Sequence, residues 1–394
     1  MDFAFFSERA LSLRSGYHWI HPLYPVGYPW LLSGLQLLTG DVLVAGRIIS
    51  VALGTLGIWG LSRWLSPWAG LVVLGHLQFL LWGSTEGTDM AATALALTAL
   101  WAADSECPVA AGLLAGAACM TRYTGIAVVP VVLWVGGWRA ALSFGATLLP
   151  HISVALYLDL PVLPDQSLNM NIGQGRGPQL GFWAGLLAGA RRASDHLLPA
   201  WPSLLGGLGL LVGIARRDRR AWMLAAYAAL HFAGLSLAFA NPRLALPTLL
   251  SLCAGVYWLL PRRWLLLLLP FVLSWSLPSA FGPTPAQFEQ LAEMQRVTEG
   301  MEGRFAASTP WFTVRRGGWI YSTVQIWEAG EAGLLTEDKL ADWMAREGIR
   351  YVVLDSRAHR AKGLQGLLAG RGGARFELAG RGRGFVVMAL KEAR

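Results

Sequence analysis

The chain has 394 residues, 54% of them hydrophobic and only 14% charged, with a mean hydropathy of +0.45, against about 25% charge in an ordinary soluble domain. That composition excludes a soluble enzyme and a disordered chain, and the unbroken apolar runs exclude a transmembrane barrel, whose strands alternate every second residue over about ten. The formal net charge of +8 comes from small arginine groups set between apolar segments, which reads as a topology signal; no nucleic-acid partner is expected.

Residues 1–41 precede the first long apolar run. They begin Asp2-Phe3-Ala4-Phe5-Phe6-Ser7-Glu8-Arg9 and continue through His21-Pro22-Leu23-Tyr24-Pro25-Val26-Gly27-Tyr28-Pro29. An acidic residue followed by aromatics, then prolines that stiffen a turn, holds a carboxylate at a membrane surface, where it can act as a general base on an acceptor. The same Asp2 also reads as the cap of an interfacial helix. Runs able to cross about 30 Å of hydrocarbon at about 1.5 Å per residue follow near 42–62, 66–82, 89–103, 109–121, 123–137, 140–158, 201–215, 221–240, 244–260 and 264–281. About ten crossings are therefore expected. The pair 109–121 and 123–137 is short enough to be either two tilted spans or one broken hairpin.

If 42–62 runs from outside to inside, Arg63, Arg139, Arg216-Arg217-Asp218-Arg219-Arg220 and Arg262-Arg263 all fall on the inside, as the positive-inside rule asks. The outer face then receives residues 1–41, the link at Glu86 to Asp89, the turn at Arg122, the loop 159–200, the turn Asn241-Pro242-Arg243 and everything after 282. Asp89 opens its segment where a helix N-terminus favours an anion, so it reads as a cap or as a second functional carboxylate. Arg122 and Arg243 stand on the outer side, where topology does not call for positive charge. A guanidinium there matches a phosphate, or it snorkels at a helix end. The stretch Gly173-Gln174-Gly175-Arg176-Gly177 lacks the strand and helix flanks of a phosphate loop and reads as linker. His18 and His21 have no further ligands nearby, and no metal site is expected. Cys107, Cys119 and Cys253 show no pairing pattern.

From about 283 the hydropathy falls, and Lys339, Lys362 and Lys391, the chain's three lysines, all lie beyond this point. Residues 336–347 read as an N-capped amphipathic helix, Ile349 to Leu354 as a strand, and Phe376 to Leu390 as a hairpin turning at Gly380 to Gly384. The domains are thus a membrane domain, 1–282, and a small soluble α/β or α+β domain, 283–394.

Taken in order, Asp2 with its trailing aromatics, His-Pro-x-Tyr-Pro-x-Gly-Tyr-Pro from His21, Arg47-Ile48-Ile49-Ser50, Thr88-Asp89-Met90, Leu113-Leu114-Ala115-Gly116, Thr121-Arg122-Tyr123-Thr124-Gly125 and Asn241-Pro242-Arg243 to Pro247 resemble the C-type glycosyltransferases that use polyprenyl-phosphate sugars. Over about residues 1–260 the chain looks like the bacterial protein O-mannosyltransferase and lipid A aminoarabinose transferase group. The resemblance implies a polytopic α-helical membrane protein of the glycosyltransferase C-type fold in a bacterial inner membrane, with site and soluble domain extracytoplasmic. It implies an inverting transfer from a polyprenyl-phosphate sugar to a lipid, glycan or protein acceptor, with no cofactor and no divalent metal. Carried over, the catalytic acid falls on Asp2 and the second acidic residue on Asp89, and donor-phosphate binding falls on Arg122, Arg243 and His21. The family has a transmembrane helix before its first catalytic loop, whereas here that loop begins at Met1, so the native protein is expected to hold roughly 20 to 40 more residues with one apolar span. A lipid transporter or flippase, and an inactive relative with an assembly role, are the competing expectations.

Overall fold

A computed structural model describes residues 25–76, 79–80, 88–157, 201–237, 245–261, 264–265, 267–273, 286–308, 312, 319–320, 336–355 and 362–391. Among the described residues, the contacts divide the chain into two compact units, one within 12–282 and one within 283–394.

The first unit is helical. Its elements are α1 (Gly27–Thr39), α2 (Val42–Trp64), α3 (Pro67–Leu74), α4 (Thr88–Asp104), α5 (Pro108–Thr121), a 3-10 turn (Tyr123–Val128), α6 (Val129–Tyr157), α7 (Trp201–Ala215), α8 (Arg219–Leu237) and α9 (Leu246–Ala254). Helix α1 falls inside the stretch expected as loop 1–41. Its Pro29 sits in the first turn, where a missing N–H costs nothing, and Gly40 closes it with φ 70°. Asp41 caps α2 by accepting from the Leu43 and Val44 amides, and Ser66 caps α3 ahead of Pro67. Among the described residues, Val42–Trp64 and Tyr123–Ser153 are long and apolar enough to cross a membrane.

Helix α4 is the axis of this unit, because every residue from Thr88 to Leu100 is buried. Its walls are mostly Ala and Thr, and its neighbours meet it with glycines. Gly54, Gly57 and Gly60 of α2 face Met90, Ala94 and Thr98 of α4 in the same order, so the two helices run parallel. At Gly57 a side chain would stand 2.8 Å from the Ala94 Cβ. Lipid supplies no hydrophobic force between helices, so small residues that let backbones approach supply the dispersion contact that holds them.

Glycine contacts also resolve α6. Gly125 lies against Ala118 and Cys119, and Gly136 against Pro108, so residues 123–136 run antiparallel to α5. Beyond that point Gly112 meets Ala140 and Ser143, and Gly116 meets Thr147, which is the parallel sense. The chain therefore reverses at Gly137, whose φ of 59° and ψ of −151° break the helix in a region essentially restricted to glycine. One continuous stretch by hydrogen bonding is two legs of a hairpin, turning between the expected segments 123–137 and 140–158. Gly137→Ala is expected to cost about 1–3 kcal/mol, read as a lowered Tm in detergent; an unchanged Tm would remove the reversal.

The arginine groups collect at one end. Asp104, the last residue of α4, accepts from Trp64 Nε1 at 3.0 Å and from Arg220 Nε at 3.0 Å, with Arg219 Nε at 3.7 Å. Arg220 Nη1 donates to the Trp64 carbonyl at 2.8 Å, and Trp258 Nε1 to Asp218 Oδ2 at 2.8 Å. Arg63, Arg139 and Arg216 to Arg220 thus share the end of the bundle that holds Asp104. Asp89 lies fifteen residues back along α4, about 22 Å away at 1.5 Å per residue.

The second unit is built on a five-stranded sheet. Its elements are α10 (Ala286–Val297), β1 (Arg304–Ala307), β2 (Trp319–Ile320), α11 (Glu337–Arg346), β3 (Ile349–Asp355), a short helix α12 (Gln365–Leu368), β4 (Phe376–Gly382) and β5 (Phe385–Leu390). The sheet order is β2-β1-β3-β5-β4, parallel among the first three and antiparallel beyond. Strand alternation gives each face a core. Val352, Leu354 and Met388 pack with Leu340 and Met344 of α11, while Phe305, Val353 and Val387 pack with Leu291 and Met294 of α10. Thr336 caps α11 through the Lys339 amide. The hairpin closes at Arg383-Gly384, later than the expected Gly380 to Gly384 turn, and a register shift between Leu378 and Gly380 absorbs the difference.

Candidate active site

At the end of the bundle opposite Asp104, the start of α4 and the end of α5 meet because the two helices are antiparallel. Arg122, the residue that ends α5, turns its side chain across to α4. Its Nη1 lies 3.1 Å from Asp89 Oδ1 and donates to Thr88 Oγ1 at 2.9 Å. The Asp89 side chain is 6% exposed and that of Arg122 14%. Thr93 fixes the first turn of α4 by donating to the Asp89 carbonyl at 2.6 Å.

A buried ion pair is weak evidence of stability, since the loss of hydration offsets much of the attraction. Placed at the end of a helix that is buried from Thr88 to Leu100, an ionisable pair is a candidate functional site. A guanidinium can keep a carboxylate on one edge and engage a phosphate with another.

Three further features surround the pair. Gly27, at the start of α1, packs against Met120 two residues before Arg122, with a side chain there 2.6 Å from the Met120 carbonyl. This brings the chain's entry into the bundle to the Arg122 end. His231 of α8 is buried, pairs through Nδ1 with Thr248 Oγ1 of α9 at 2.9 Å, and lies within reach of the Arg122 charge. The 3-10 turn 123–128 carries Arg122 into the hairpin, with Gly125 seated on the α5 backbone.

Of the residues singled out from sequence, Asp89 and Arg122 are brought together, although they stand 33 positions apart. Asp2, His21 and Arg243 lie outside the described residues, as do the loop 159–200 and Arg262-Arg263. The snorkelling reading of Arg122 does not hold, because its guanidinium turns inward to a carboxylate. Asp89 occupies the second position of α4 and binds a side chain, beyond the capping role. Sequence reasoning passed over Thr88 as a ligand, and over His231 and Thr248. His231 carried a usable signal, an ionisable residue inside an apolar helix. Among the described residues no group of three or more His, Cys, Asp or Glu could hold a metal ion.

No protein-family model matches the sequence, and no curated protein matches it. Solved structures do match by shape. The crystal structure of ArnT from Cupriavidus metallidurans bound to undecaprenyl phosphate superposes with a TM-score of 0.62 at 15% identity, over 99% of this chain and 93% of that one. The archaeal oligosaccharyltransferase AglB from Archaeoglobus fulgidus, in complex with an inhibitory peptide and a dolichol-phosphate, gives a TM-score of 0.55 at 13% identity over 90% of this chain and 65% of that one. The chain therefore has the helical membrane fold of the C-type glycosyltransferases, and the resemblance read from its motifs holds at the level of the fold.

Proposed function

We propose that the protein is an inverting membrane glycosyltransferase that moves a sugar from a polyprenyl-phosphate donor to an extracytoplasmic lipid, glycan or protein acceptor. The observation that carries this reading is the buried Asp89–Arg122 pair, set at one end of a bundle whose fold is shared with transferases solved with prenyl phosphates. Asp2 takes the proton from the acceptor as its oxygen or nitrogen attacks the anomeric carbon. The bond from that carbon to the donor phosphate oxygen breaks, and the phosphate leaves with its charge held by Arg122, Arg243 and His21. Asp89 holds the Arg122 fork in place and orients a sugar hydroxyl. His21 is six residues from Gly27, so about 20 Å of chain at most separates it from the packed start of α1.

Arginine supplies the phosphate's charge stabilisation in this scheme, and no divalent metal takes part. EDTA is expected to leave transfer unchanged; a loss restored by adding back a divalent ion would remove that part of the proposal. The membrane domain 1–282 sits in a bacterial inner membrane, with the Arg63 end inside and the domain 283–394 outside. The test is incubation of the purified full chain in vesicles with radiolabelled polyprenyl-phosphate sugars and extracytoplasmic lipid, glycan or protein. Labelled acceptor is expected. Movement of the labelled lipid between leaflets without transfer would instead make the protein a transporter.

A further inference from the structure

We propose that the end of the bundle remote from Asp89 is a binding surface for the phosphate headgroups of anionic phospholipids, with Arg63, Arg216 and Arg217 as its contacts. This rests on different residues from the transfer site and does not depend on that reading.

This end of the bundle carries positive charge that its carboxylates do not match. Arg63, Arg216, Arg217, Arg219 and Arg220 gather around the junction of α2 with the turn into α8, because Arg220 Nη1 is bound to the Trp64 carbonyl at 2.8 Å. Asp104 and Asp218 face them, and both point inward. Asp104 is bound by Trp64 Nε1 and Arg220, and Asp218 by Trp258 Nε1 and the Arg220 amide. Arg219 also leans on Asp104 at 3.7 Å. Arg63, Arg216 and Arg217 are exposed, and among the described residues no carboxylate is bonded to them. Arg217 further holds φ 58°, a conformation in which glycine or asparagine is the easy choice. The backbone therefore does not ask for arginine at this position.

Two exposed indoles fix the chemistry of the partner. Trp59 stands one turn before Arg63 and is 51% exposed; Trp222, at 48%, lies just inside α8. Paired Trp and Arg at the end of apolar helices match the boundary of a bilayer, where the ring lies at headgroup level and the cation meets the phosphate. Both indoles stand on apolar helices, so the neighbour that their position favours is lipid.

The test is native mass spectrometry of the full-length protein, exchanged into micelles holding equal phosphatidylglycerol and phosphatidylcholine. Wild type is expected to retain phosphatidylglycerol preferentially, with the preference falling as salt is raised. The double variant Arg216→Gln, Arg217→Gln leaves Arg219 and Arg220 on Asp104. It should lower that preference about twenty-five-fold, at about five-fold for each arginine removed. Arg63→Gln alone should lower it about five-fold, and it gives a second reading if the double variant does not fold. Equal retention of the two lipids by wild type, or an unchanged preference in folded variants, would overturn the proposal.

Discussion

Arg122→Gln is expected to lower sugar transfer by about 10²–10³-fold, the range for removing one preorganised donor from a developing oxyanion. It is also expected to lower stability, because Asp89, 6% exposed, is left as a buried carboxylate without its cation, at a cost of about 3–5 kcal/mol. Against a total of about 5–15 kcal/mol that loss could by itself abolish activity, so the two effects must be separated. The double variant Arg122→Gln, Asp89→Asn does so. With both charges gone the desolvation penalty disappears and Tm should recover, while transfer stays low because the Arg122 guanidinium no longer meets the phosphate. Arg122→Lys keeps the charge without the planar fork and should fall between. Recovery of transfer along with stability in the double variant would show that the pair serves the fold alone.

The second large effect concerns the acceptor side. Asp2→Asn preserves the shape of the side chain and removes its capacity to take a proton, so transfer should drop by about 10²–10⁴-fold, the range for general-base catalysis. The loss should appear in kcat with little change in the KM for donor, since the phosphate contacts are elsewhere. A variant that keeps more than about a tenth of the rate is incompatible with that range, and the base would then have to be sought at Asp89. The measurement is initial-rate kinetics on the purified full chain with labelled donor.

Much of this protein is legible in one dimension. The membrane class follows from composition, and the distribution of Arg63, Arg139 and Arg216 to Arg220 between apolar runs places them at one end before any contact is known. In the second unit, the Thr336 cap, the apolar β-branched run from Ile349 to Leu354 and the glycine-closed hairpin are local patterns, and the elements form where those patterns stand. Strand β1, Arg304 to Ala307, is missed because Phe-Ala-Ala has little intrinsic strand preference. It exists because Ser308 and its neighbours pair with β3.

The site was legible only as a list. Asp89 and Arg122 each carry two local readings, cap or carboxylate, snorkel or ligand, and periodicity cannot choose, because both readings put the residue at the same place on its helix. The choice is made by the antiparallel packing of α4 on α5, which sets the first turn of one beside the last residue of the other. The same holds for the reversal at Gly137, seen only when Gly112, Gly116, Gly125 and Gly136 show which way each leg runs. Sequence by itself determined what the chain is dissolved in, since hydrophobicity sums along the chain. Tertiary structure alone decided which charges meet, because helices in lipid are matched by close contact of small residues and not by any force that a hydropathy pattern records.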